Sequence, residues 1–111
     1  MERIEKLAKI IVNHSIKVTE NDRVLITYEG IESMPLVKAI TKEVINNKGV
    51  VETDYRNQDL ECFIHENISE KAIESKTQKM KFEVENYDSF VRICYRKSDY
   101  YDKNMDKDKK R

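Results

Sequence analysis

Arg23-Val24-Leu25-Ile26-Thr27-Tyr28 decides the fold. The run is almost continuously aliphatic and β-branched, too short for a helix and too apolar for a half-exposed strand, so it reads as a central parallel strand. Downstream, Met34-Pro35 marks a helix start, because proline in a first turn lacks only an N–H that would have no intrahelical partner. Leu36, Val37, Ile40 and Val44 give that helix an apolar stripe. Lys48-Gly49 closes it, with a cation near the negative end of the dipole and a glycine free to take a left-handed cap. Val50-Val51-Glu52-Thr53-Asp54-Tyr55 follows at once as a second strand. A strand, a helix and a strand joined by short connections form a βαβ unit, whose crossover is right-handed in nearly all cases.

Upstream, Ile4, Leu7, Ala8, Ile11 and Val12 fall on one face of an amphipathic helix. The pattern fades over Asn13 to Ser15, and Thr19-Glu20-Asn21-Asp22 forms a turn. Past the second strand, Asp59 is placed to cap a short helix carrying Leu60, Phe63 and Ile64, and Ser69 to cap a longer one from about Glu70 to Glu85. Ala72, Ile73, Met80, Phe82 and Val84 are too sparse there for a buried helix, so this one lies on the surface or breaks in the middle. Phe90 to Tyr95 is a third strand. The expected fold is α/β: a small three-layer domain over residues 1–96, with a mainly parallel three-stranded sheet and element order α-β-α-β-α-α-β. Residues 97–111 are charged and aperiodic, and read as a flexible tail or the stump of a truncated next element. Strand order stays open. Order 2-1-3 would put Glu29 and Glu32 at a switch-point crevice, and order 1-2-3 would not.

The 111 residues hold 21 Lys and Arg against 21 Asp and Glu, so no net charge draws the chain to nucleic acid or an anionic membrane. Tyr95, Tyr100 and Tyr101 near Lys97 and Lys103 suggest a stacking surface, but Asp99, Asp102, Asp106 and Asp108 cancel its charge. No run of about 18 apolar residues spans a bilayer. The opening MERIEKLAK is not a secretory leader, and the chain reads as cytoplasmic.

Catalytic signatures are sparse. The turn Tyr28-Glu29-Gly30-Ile31-Glu32-Ser33 has one glycine and two carboxylates, the wrong chemistry for a pyrophosphate. Glu29, Glu32 and Asp54 are candidates to converge on a divalent cation, against the plainer reading of solvated carboxylates at strand ends and helix starts. His65-Glu66 lacks the second histidine of a zinc helix, since position 69 is Ser69, and His14 reads as a surface or structural residue. Ser33 and Ser89 lack a nucleophile-elbow context. Cys62 and Cys94 have no metal or redox spacing and are expected as reduced, buried core residues. No residue is assigned a catalytic, cofactor-binding or metal-ligating role.

An ordered set of cues remains: Ile4 to Val12 as I-x-x-L-A-x-x-I-V, Arg23 to Ile26 as R-V-L-I, and Glu32 with Pro35-Leu36-Val37. Lys48-Gly49 before a Val-rich strand, Asp59-Leu60, and the segment His65 to Ile73 complete it. This set resembles the N-terminal domain of peptidase family M29, the aminopeptidase T and aminopeptidase S group. The resemblance implies a hydrolase that removes N-terminal amino acids from peptides. It also implies a pair of divalent metals, zinc, cobalt or similar, held in a C-terminal catalytic domain that this chain lacks, and a homodimer that encloses the site. On that reading the chain is an N-terminal accessory domain or fragment, without metal and inactive alone. The alternative is a stand-alone α/β interaction or oligomerisation module, because a three-stranded sheet leaves edges that proteins usually cover.

Overall fold

The structure is a computed structural model describing residues 2–94. The expected strand end at Tyr95 and the tail 97–111 lie outside the described residues. Strand β1 (Arg23–Glu29) is the centre of a sheet of order β2-β1-β3, parallel to both β2 (Val50–Arg56) and β3 (Ser89–Cys94). Val24 stands opposite Val51 and Ser89, and Ile26 opposite Thr53 and Val91. Because side chains alternate along a strand, one face carries Val24, Ile26, Tyr28, Val51, Val91 and Ile93. The other carries Arg23, Leu25, Glu29, Glu52, Asp54, Arg56, Phe90, Arg92 and Cys94.

The apolar face is covered by α1 (Glu2–Ile10), extended by a π-helical turn at Ile11–Ser15, and by α2 (Met34–Asn46). Ala8, Val12, Val18, Val24, Ile26, Val37, Ile40 and Val44 make one buried cluster there. Each fully buried aliphatic contributes about 1.5–3 kcal/mol, so a core this thin sits close to the minimum for independent folding. The helical stripe narrows in practice to Ala8 and Val12, since Leu7 stays exposed.

Two boundary devices differ from expectation. The left-handed residue after α2 is Lys48, at φ 64°, and not Gly49. Gly49 is required for close packing instead: a Cβ there would stand 2.8 Å from Val18 Cγ1 and 2.9 Å from Val44 Cγ1. Helix α3 (Gln58–Asn67) is capped by Asn57, whose Oδ1 accepts the Leu60 N–H at 2.9 Å, and Asp59 lies inside the first turn. Asn57 has the extended backbone that a cap needs, and Asp59 complements the helix dipole instead.

Ser69 caps α4 (Glu70–Asn86) as expected, with Oγ accepting the Ala72 N–H at 3.2 Å. The helix runs unbroken, in keeping with its Glu, Lys, Ala and Met content and lack of Gly and Pro. Neither α3 nor α4 buries a single residue.

Candidate functional site

The strand order puts Glu29 at the C-terminal end of the central strand, beside the crossover to α2, where open α/β sheets usually bind ligands. Glu29 is occupied within the fold. Its Oε2 accepts the backbone N–H of Gln58, the first residue of α3, at 3.1 Å. Asp54 faces Arg56, with Oδ2 3.9 Å from Nη1. Arg56 in turn grips Glu61 through Nε at 2.6 Å and Nη2 at 3.2 Å. This bidentate contact holds the Glu61 carboxyl below the usual carboxylate range and pushes Arg56 up. Glu32 is exposed in a short 3-10 turn, Ile31–Ser33. The three carboxylates therefore do not converge. Among the described residues no group of three or more His, Cys, Asp or Glu side chains is placed to hold a metal ion, and the donor set does not fit one.

The remaining sequence candidates fall apart in the same way. The Ser33 hydroxyl is buried and donates to the Gly30 carbonyl at 2.7 Å. His14 and His65 are exposed. Cys62 and Cys94, expected in the core, are both exposed: Cys94 falls on the charged face of β3, and Cys62 on a helix that buries nothing. Cys62 Sγ accepts from Gln58 Nε2 at 3.6 Å, not from the imidazole of His65 one turn on. Across the charged face, the Tyr87 hydroxyl donates to Glu52 Oε1, which pushes its pKa up, and the Arg23 guanidinium lies 4.9 Å over the Tyr87 ring.

What the fold does present is surface. Leu60, Phe63 and Ile64 on α3 fall at i, i+3 and i+4, and Ile73, Met80 and Val84 on α4 at i, i+7 and i+11. All six are exposed, Val84 to 68 %. Apolar stripes at helical spacing normally face a core, and these have none among the described residues. On α3 the signal was legible as periodicity, which does not tell an internal core from an external partner, whereas the apolar residues of α4 were too sparse to read as a stripe and pointed only to a surface helix.

No helix among the described residues is long and apolar enough to cross a membrane. A family model described as thermophilic metalloprotease (M29) matches residues 1–110. Comparison with curated proteins gave no match.

Proposed function

Because the chain belongs to the thermophilic metalloprotease (M29) family, a metal-dependent peptidase family acting on peptides, we propose that it is the accessory N-terminal domain of an aminopeptidase. The observation that carries this reading is the pair of apolar stripes on α3 and α4, exposed here on a domain with no metal-ligating cluster among its described residues. Burying them against a C-terminal catalytic domain completes the three-layer arrangement on the face opposite α1 and α2. Residues beyond this chain then supply the two divalent ions and the water-activating chemistry, and the docked domain walls the peptide site within a homodimer. Glu29, Arg56 and Glu61 act as positioning residues in this scheme, tying α3 to the strand ends so that its stripe faces the partner in a fixed orientation.

The test is the size of the polypeptide in its source cell, by immunoblot with an antibody against this chain and mass spectrometry of the band, together with an assay of the pure chain. A band several times heavier than 13.2 kDa is expected, with no cleavage of aminoacyl chromogenic substrates by the pure chain in zinc or cobalt. Metal-stimulated hydrolysis by the chain alone would overturn the division of labour. A native band at 13.2 kDa would favour the second reading, a stand-alone interaction module that uses the same stripes.

A further inference from the structure

We propose that the groove between α2 and β2 docks an extended acidic peptide segment, which adds to the sheet as a further strand along the β2 edge. The site is separate from the α3 and α4 stripes.

Strand β2 pairs with β1 on one side and has no strand beyond it among the described residues. Alternate N–H and C=O groups of such an edge point outward as a template for pairing. Proteins commonly guard an edge with charge, and β2 does carry Glu52, Asp54 and Arg56. All three lie on the face away from α2, and each is engaged there: Glu52 by Tyr87 and Arg23, Asp54 by Arg56, and Arg56 also by Glu61. The face toward α2 carries only Val51, Thr53 and Tyr55.

Beside this uncharged face of β2 lies a groove of about 410 Å³, walled by Met34, Thr41 and Ile45 of α2 and floored by Tyr28 and Thr53. Ile45 and Tyr55 are more than half exposed, at 57 % and 53 %. Strand addition of this type takes affinity from main-chain hydrogen bonds and selectivity from alternate side chains entering such a groove.

Charge selects the occupant. Lys38 and Lys42, one turn apart on α2, line the groove, no carboxylate does, and neither lysine pairs with a described acid. Both lysines also line the neighbouring cleft between α1 and α2, where Lys9 joins them beside Glu5 and Glu43, so the lysines outnumber the acids there too. A second copy is disfavoured. Antiparallel pairing of two β2 edges about Thr53 sets each Glu52 against the other copy's Asp54 on one face, and directly opposed like charges destabilise a sheet.

The test uses the whole chain and two short blocked, fluorescein-labelled peptides, one alternating valine with glutamate and one alternating valine with lysine. Fluorescence anisotropy is expected to show the acidic peptide binding at least about tenfold more tightly than the basic one. Amide exchange should slow over Val50–Arg56. The double variant Lys38→Glu, Lys42→Glu should weaken the acidic peptide about tenfold, and Ile45→Ser, also at an exposed position, should weaken both peptides. Equal binding of the two peptides, absence of binding, indifference to the lysine reversal, or protection confined to β3 would each overturn the proposal. So would concentration-dependent dimerisation that protects β2 without peptide.

Discussion

The carboxylate of Glu29, at the end of the central strand, accepts the backbone N–H of Gln58 at the start of α3, 3.1 Å away and 29 residues along the chain. A side chain that sequence reasoning held as a candidate cation ligand is thus the anionic partner of a helix N-terminus, where the dipole favours negative charge. Replacing Glu29 with Gln removes the charge and keeps the shape. Urea unfolding of Glu29→Gln is expected to show a loss of about 0.3–1 kcal/mol. Magnesium should leave the midpoints of parent and variant equally unmoved, and a magnesium-dependent gain in the parent alone would restore the cation reading.

Gly49 and Lys48 make opposite predictions from adjacent positions. A methyl at Gly49 meets two valine methyls at under 3 Å, so Gly49→Ala is expected to cost about 1–3 kcal/mol through overpacking. Lys48 sits at φ 64°, where a side chain is strained and glycine is not. Lys48→Gly is expected to leave stability unchanged or raise it by up to about 1 kcal/mol, measured by the same urea transition. The sequence motif Lys-Gly correctly marked the helix end, but which residue turns left-handed depends on where the last carbonyls find donors. Here Lys48 N–H reaches the Ile45 carbonyl, and Gly49 N–H the Val44 carbonyl, each at 2.9 Å.

Exposure of both cysteines gives a direct chemical check. Ellman's reagent is expected to titrate Cys62 and Cys94 in the native chain without denaturant, at rates near those of the unfolded chain. Protection of either thiol until urea is added would place it in the core after all.

Two groups on the charged side of the sheet contribute to stability in a pH-dependent way. The folded pKa of Glu61 is lowered by Arg56, so its contribution is present above the ordinary carboxylate value of about 4.3 and is lost as pH falls through the folded value below that. The folded pKa of Tyr87 is raised by Glu52, so its contribution is present below the ordinary value of about 10 and is lost as pH rises through the higher folded value. Side-chain exposure of 35 % at Arg56 and 31 % at Glu61 keeps the first effect under about 1 kcal/mol. Phenolate absorbance is expected to contain an upward-displaced step that Tyr87→Phe removes. Glu61→Gln should flatten the acid limb of the stability curve.

Local signals carried the architecture because each has a short-range cause. The aliphatic density of Arg23 to Tyr28, proline at the start of α2 and the serine before α4 all act within a few residues, and all stand where periodicity put them. Strand order and the fate of Glu29 depend on pairings remote in sequence, such as Glu29 with Gln58 or Arg23 with Asp88, whose side chain accepts the Arg23 N–H at 2.8 Å. Periodicity assigns a residue to a face of its own element and does not say which faces meet. That is why Cys94, in an apolar block, turned out to face the charged side.

The same limit frames the two apolar helix stripes, where packing energetics separates core from interface. Ile26 and Ile40 are fully buried, and truncating either to Ala is expected to cost about 2–5 kcal/mol. Phe63, Met80 and Val84 are each more than 60 % exposed, so their replacement by Ser is expected to change stability by no more than about 0.5 kcal/mol each. An exposed apolar patch also binds the dye ANS, and the triple serine variant should lose most of that fluorescence while retaining the parent's urea midpoint. A drop of several kcal/mol in the triple variant would mean that α3 and α4 pack inward in solution. Retained stability with lost dye binding leaves the stripes free for the partner that the accessory-domain reading requires.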